Sequence, residues 1–377
     1  MAYVTGAGMV KVDRHYSLGV RELAAQAAEE ALRDAERGSV DFVVAASSLS
    51  YMQEPQLDLA SYLASTLGLR GARALTVEAG EASGAAAVQA ALALVKSGIA
   101  RRVLVIGVDK MTDYNSPETY RHLQHLYDTV GEGFHKIGHA GIAGILMRLY
   151  MDEYGVDRDV TAYWPALMHA NAKENPYAML RFALDPSKVK NAMPLADPIT
   201  LLDAYPLGDG AAAIVVEASP GRAMAEIQAI ESATGYPSIA HRQNPLHIES
   251  LAEAASKTGI MGGDGLASID FMEIHDSFTI TAFMILETLG ASDKGKAAED
   301  AAEGRYSRDG ELPVNPSGGL KARGHPIGAT GVYQYAEAAM QLAGTFPGVR
   351  IDGARRAVVV SLNGFGSSSY IGVLSRP

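Results

Sequence analysis

Residues Asn315-Pro316-Ser317-Gly318-Gly319-Leu320-Lys321-Ala322-Arg323-Gly324-His325-Pro326-Ile327-Gly328-Ala329-Thr330-Gly331 form the stretch on which the fold turns. Glycine and proline crowd it and fix an irregular backbone. It runs directly into the Ala-rich segment 329–343, which reads as a helix. His325 stands between Gly and Pro at that helix start. An imidazole pinned there suits an acid/base or an oxyanion donor. The plain alternative is a Gly-rich capping loop.

The unit around this stretch has a counterpart earlier in the chain. Short β-branched runs predict buried strands at 41–46, 74–77, 102–108, 211–216, 271–275 and 356–362. Helices are expected at 19–37, 57–67, 83–96, 139–154, 250–258, 281–289 and 329–343. Strand and helix alternate, which indicates an α/β architecture. In each half a strand is followed by a strand–turn–helix unit and then a second strand. Corresponding elements begin at 41 and 271, 83 and 329, and 102 and 356, so their offsets are similar and suggest two related halves. Residues 111–205 have no counterpart in the second half and read as an inserted loop domain over the site. The expected division is therefore 1–110 with 206–222 as the first half, 111–205 as the loop domain, and 223–377 as the second half.

Three further segments carry chemistry. In Val77-Glu78-Ala79-Gly80-Glu81-Ala82-Ser83-Gly84 a strand enters a Gly-containing elbow before an Ala-rich helix. A helix N-terminus favours negative charge there; alternatively, Ser83 only caps the helix and Glu81 is a solvated turn residue. Glu273-Ile274-His275-Asp276-Ser277-Phe278 puts a His-Asp pair at the end of a buried strand, where α/β sheets bind ligands. His275 can equally be a core histidine on a backbone carbonyl. Asn363-Gly364-Phe365-Gly366 follows the last buried strand and allows close backbone approach, or simply forms a bulge or hairpin. Two signals fail. Gly6-Ala7-Gly8 is followed by Lys11, which breaks the dinucleotide fingerprint. His135 and His139 have the spacing of a zinc pair but lack the rest of the motif, so no metal is expected.

Composition narrows the class. The 377 residues are 48% hydrophobic and 20% charged, with a net charge of −11 and no basic cluster. That argues against a nucleic-acid surface. No apolar run is long enough to span a bilayer, and the N-terminal residues lack a secretory pattern, so a cytoplasmic location is expected. Cysteine is absent, which removes disulfides, thiolate metal sites and any thiol nucleophile.

The His275-Asp276-Ser277-Phe278 and Asn315–Gly331 segments together resemble the thiolase superfamily over essentially the whole chain. The likeness is to its sterol-carrier-protein-type and archaeal acetyl-CoA acetyltransferase-like members. Asn175-Pro176-Tyr177-Ala178 and Gly208-Asp209-Gly210-Ala211-Ala212 match two further family stretches. The resemblance implies a five-layer αβαβα fold of two similar halves with mixed sheets. It implies a coenzyme A thioester as substrate rather than a prosthetic group, and a homodimer or higher oligomer. Some superfamily aldolases lack the cysteine and work with a small zinc-ribbon/OB-fold partner protein, so such a partner is also implied. Catalytic groups map to Glu81, His275 and His325. Gly324, Gly328, Asn363, Gly364, Gly366 and Ser277 are expected around the thioester.

One departure decides the chemistry. The family nucleophile lies in Cys-x-Ser-Gly, and here that motif reads Glu81-Ala82-Ser83-Gly84. A carboxylate is a poor nucleophile toward a thioester, although it can form a mixed anhydride. Between two imidazoles it is a good general base, and enolate chemistry survives without an acyl-enzyme. Three readings follow: an aldolase-like or decarboxylative acyl-CoA enzyme; a non-catalytic subunit of a multi-protein complex; and an acetyl-CoA acetyltransferase, which the missing thiol argues against.

Overall fold

Strand β1 (Tyr3–Met9), helix α1 (Val20–Asp34), β2 (Phe42–Ala46), α2 (Leu59–Thr66), β3 (Arg73–Val77), α3 (Ser83–Lys96) and β4 (Arg102–Asp109) alternate through the first part of the chain. They belong to a computed structural model that describes residues 1–49, 56–261 and 265–377. Helices α4 (Ser116–Leu123), α5 (Gly138–Tyr154) and α6 (Tyr163–Glu174) follow, with a short ribbon pairing Pro194–Ala196 and Ile199–Thr200. Then come β5 (Gly210–Glu217), β6 (Ala225–Thr234), α7 (Glu249–Ser256), β7 (Phe271–Glu273), α8 (Thr279–Leu289), α9 (Thr330–Ala343), β8 (Arg356–Asn363) and β9 (Ser368–Ser375).

The duplication expected from the order of elements is visible in the sheet. Its strand order is β3-β2-β4-β5-β1-β6-β9-β8-β7. β2 is parallel to β3 and β4, and β5 is antiparallel to both of its neighbours. The second half repeats this order as a mirror image. β6 stands for β1, β9 for β5, β8 for β4 and β7 for β2, with the same senses. The place of β3 is taken by Val314, which makes a single parallel bridge to Met272. The halves join at β1–β6 through Tyr3↔Glu226 and Val4↔Ala225. The two mixed sheets are therefore continuous by hydrogen bonding.

Alternation of side chains along each strand builds the layers. Val43, Ala45, Leu104 and Ile106 face α1 and α2. Val44, Ala46, Val103 and Val105 face a central layer containing α3 and α9. From the other half, Ala357 and Val359 enter that central layer, whereas Val358, Val360 and Leu362 face α7 and α8. The result is α/β/α/β/α. The two central helices meet through glycine. A Cβ on Gly84 would lie 2.6 Å from the Val332 nitrogen, and one on Gly331 would lie 2.3 Å from the Ala85 nitrogen.

Three strands were not expected from sequence at full length. β1 holds Gly6 and Gly8 because α1 packs onto its backbone: added Cβ atoms would come within 2.3 Å of the Ala31 and Ala27 carbonyls. β6 mixes alanine with charged and polar residues, and β9 is rich in serine. β7 ends at Glu273 rather than at 275 because Asn315 takes over the next peptide. Its Oδ1 accepts from the Ile274 N–H at 2.6 Å, and its Nδ2 donates to the Ile274 carbonyl at 3.3 Å. His275 is thereby turned out of the sheet.

Candidate active site

The elbow after β3 bends at Gly80, with φ +57°. A Cβ there would lie 1.9 Å from Asn363 Oδ1, so both the turn and the close approach require glycine. Ser83 is the first helical residue and braces the elbow rather than capping the helix: Ala79 N–H donates to its Oγ at 2.8 Å, and the Oγ donates to the Gly80 carbonyl at 2.6 Å. Glu81 is not a solvated turn residue. It is fully buried and points inward. Its own N–H donates to Asn363 Oδ1 at 3.1 Å, and its Oε2 accepts from the Gly364 N–H at 2.7 Å.

Three imidazoles surround this carboxylate. His325 Nε2 lies 3.4 Å from Oε1, His275 Nε2 lies 3.6 Å from Oε2, and His139 Nδ1 lies 3.9 Å from Oε1. His325 and His275 are fully buried and meet edge to face, with ring centroids 5.1 Å apart. Thr330 Oγ1 sits 2.6 Å from His325 Nδ1 and orients that ring. His275 makes no hydrogen bond through either nitrogen, so the backbone-carbonyl role considered for it is not observed. Asp276 instead ties the 315–331 stretch and α6 together, accepting from Leu320 N–H at 2.7 Å and Trp164 Nε1–H at 3.1 Å.

Charge follows from burial and these contacts. Burial pushes the Glu81 carboxyl up, but the neighbouring imidazoles outweigh it and hold it well below the ordinary value. His139 and His325 are pushed down to about 4 by burial, against the partial compensation of Glu81. At neutral pH both rings are therefore neutral; His325 Nε2 lies within hydrogen-bond reach of the carboxylate, whereas His139 Nδ1 is within reach of the Tyr205 hydroxyl. Tyr205, 4.7 Å from His325 ring to ring, is held protonated by burial and by the Glu81 charge.

His139 is the functional residue that sequence reasoning missed. It entered only through its spacing from His135, which is exposed whereas His139 is buried. Its ring is packed by Tyr127, Tyr205, Phe278 and Phe365, and its Nδ1 lies 3.3 Å from the Tyr205 hydroxyl. Of the residues expected around the thioester, Asn363 and Gly364 touch Glu81. Ser277 is buried with an unpartnered Oγ. The other three are held by protein contacts. A Cβ would come 2.5 Å from Val12 at Gly324, 2.6 Å from Ser48 Oγ at Gly328 and 2.4 Å from Ile248 at Gly366. Glu81, His275 and His325 also offer ligand atoms within 4.8 Å of one another, a donor set suited to a cation.

A duplicated α/β fold with carboxylate and imidazoles at the carboxyl ends of its strands defines a class of enzyme scaffold. The chain belongs to the thiolase family: the model for "Thiolase, N-terminal domain" matches residues 2–192 and "Thiolase C-terminal domain-like" matches residues 232–376. It is 31% identical over 380 residues to an acetyl-CoA acetyltransferase of Methanothermobacter thermautotrophicus, covering 99% of both chains. It is 28% identical to sterol carrier protein 2 of Gallus gallus, covering 94% of this chain and 68% of that one. In structure it is similar to the Ltp2-ChsH2(DUF35) aldolase, with TM-score 0.83 over 100% of this chain and 97% of the other. At 22% identity that likeness speaks to the fold. Among the described residues, no helix is long and apolar enough to cross a membrane.

Proposed function

We propose that this protein acts on the C–C bonds of coenzyme A thioesters through an enolate, in an aldolase-like or decarboxylative reaction, without a covalent acyl-enzyme. The observation that carries the reading is Glu81 itself, a buried ionised carboxylate beside three imidazoles in a chain without cysteine. By resemblance it occupies the position of the family's nucleophile. In an aldol cleavage, Glu81 takes the β-hydroxyl proton. The O–H pair becomes the new carbonyl π-bond as the Cα–Cβ bond breaks, and the Cα–Cβ pair moves into the thioester enolate. N–H groups of His275 and His325 face the enolate oxygen, and Cα then recovers the proton. A positioned base supplies about 10²–10⁴-fold, and each good oxyanion donor about 3–4 kcal/mol.

Two supporting features bear on partners. The similar aldolase is named together with a second component, which supports a small zinc-ribbon/OB-fold partner here. Strand β3 lies at the sheet edge with Leu75 exposed, which supports pairing with a second copy. Residues 111–205, which bring in His139, serve as the cover of the site in this reading. A second reading, a non-catalytic subunit, draws on the complete closure of Glu81, His275 and His325 from solvent. Exchange of the acetyl-CoA α-protons with deuterated buffer, followed by NMR, separates the two. Exchange in the wild type that disappears in Glu81→Ala supports the enzyme; no wild-type exchange removes it.

A further inference from the structure

We infer that Glu81, His275 and His325 also form a binding site for a divalent transition cation, with Zn²⁺ the ion their chemistry fits. The three come from sequence positions far apart, and their ligand atoms lie within 4.8 Å of one another. Neighbouring ligands of a tetrahedral ion with bonds of about 2.1 Å are about 3.4 Å apart. His325 Nε2 stands 3.4 Å from Oε1, which is that edge, and His275 Nε2 stands 3.6 Å from Oε2, so the imidazoles flank the two oxygens of one carboxylate and the cluster needs to close by about an ångström or less around an ion. Two imidazoles and one carboxylate, with a position left for a fourth ligand, suit zinc and other borderline divalent ions rather than calcium or magnesium.

Two observations point to a ligand beyond the cluster itself. His275 is fully buried, its Nε2 faces Glu81, and neither of its nitrogens has a hydrogen-bond partner. A bound cation would satisfy Nε2 and leave only Nδ1 open. His325 already has the outer support typical of a metal ligand, since Thr330 Oγ1 holds its Nδ1 and directs Nε2 at the carboxylate. The aromatic wall of Tyr205, Phe278 and Phe365 beside the cluster keeps its surroundings dry, which strengthens coordination.

The inference goes beyond the proposed enolate chemistry and opposes it within one molecule. A cation bound to Glu81 lowers the basicity of its carboxylate and occupies the two imidazoles, so the cation-bound form is the inhibited one.

The test uses full-length protein stripped with a chelator and titrated with Co²⁺, followed by visible absorption. One equivalent should produce the intense bands of tetrahedral Co²⁺, and Zn²⁺ should abolish them by displacement. His275→Ala and His325→Ala should each weaken binding by at least about tenfold. Thr330→Val leaves all three ligands in place and should weaken it by about 10–100-fold, with unchanged circular dichroism. Absence of the bands, or equal binding by a folded His275→Ala/His325→Ala double variant, overturns the site. Acetyl-CoA proton exchange by the stripped protein tests the base separately: a stripped protein that exchanges but does not bind Co²⁺ refutes the site and keeps the base.

Discussion

The backbone N–H of Gly364 lies 2.7 Å from Glu81 Oε2, across 283 positions of sequence. This contact, with the Glu81 N–H to Asn363 Oδ1, makes the β8–β9 turn part of the elbow that presents the carboxylate. Asn363 also donates from Nδ2 to Ser367 Oγ at 2.8 Å, so its side chain braces the turn from both sides. Asn363→Ala should release the Glu81 peptide and the turn together. The expected cost is about 1–3 kcal/mol of stability, read by urea denaturation, with a fall in acetyl-CoA proton exchange. An unchanged exchange rate would show that the brace does not position Glu81.

Glu81→Gln keeps the shape of the side chain and removes its capacity to accept a proton. The expected loss of exchange is about 10²–10⁴-fold, with acyl-CoA binding retained. Glu81→Cys tests the position from the other side. With His275 and His325 beside it, the new thiol should take an acetyl group from acetyl-CoA, seen as added protein mass. The wild type should keep its unmodified mass. An acetylated wild-type protein would restore the acetyltransferase reading.

Burial sets the pH range of the site. His325 is neutral above a value near 4; below it the imidazolium would pair with Glu81 and weaken it as a base. Exchange should therefore persist through pH 6.5, the ordinary histidine value, and fall only near pH 4. Global stability is a poorer probe. Buried neutral His139 and His325 contribute above 6.5 and lose that contribution as pH falls toward 4. Asp109, raised to about 6, and Asp276, raised to about 7, contribute below their unfolded value and lose it as pH rises through 6 and 7. The two trends oppose each other between pH 4 and 7. The rate profile carries the test, and an acid limb at 6.5 would place the titrating imidazole in water.

How much of this was legible in the sequence follows from how local each signal is. The His275 segment and the Asn315–Gly331 block each compress strand end, turn and chemistry into one run of residues, so both could be read directly. The duplicated order of elements was legible because β2, β4 and β8 carry β-branched runs and β7 opens on the apolar pair Phe271-Met272. His139 was not, because nothing near it in the chain marks it: its meaning comes from Tyr205, Phe278, Phe365 and Glu81, which arrive from other elements. The Gly364 N–H was equally hidden, since a backbone donor has no residue type. In β1, the glycines that began an incomplete nucleotide fingerprint serve the packing of α1.

His139→Phe should separate packing from polarity at that position. The ring among Tyr127, Tyr205, Phe278 and Phe365 is replaced by one of similar volume. Removing the imidazole also removes one of the influences that lower the Glu81 carboxyl. The acid limb of the exchange profile should therefore move to higher pH, while the thermal midpoint changes little. A profile identical to wild type would mean that His139 only fills space.

Asp109 ties the site loop to the first half of the chain. It is fully buried at the end of β4. It accepts from Ser47 Oγ–H at 2.6 Å, Ser48 N–H at 3.0 Å, Leu49 N–H at 2.9 Å and Gly328 N–H at 2.7 Å. Gly328 begins three residues after His325, so this bond anchors the turn that carries the imidazole. In Asp109→Asn, an Nδ2 placed against the Gly328 N–H would set donor against donor, and that N–H would lose its acceptor. The expected cost is about 1–3 kcal/mol, measured by urea denaturation. Displacement of Gly328 should also carry His325 away from Glu81, so exchange should fall further than stability alone accounts for at temperatures where the variant is fully folded. If the folded variant exchanges at the wild-type rate, the anchor is structural and His325 is positioned by Thr330 instead.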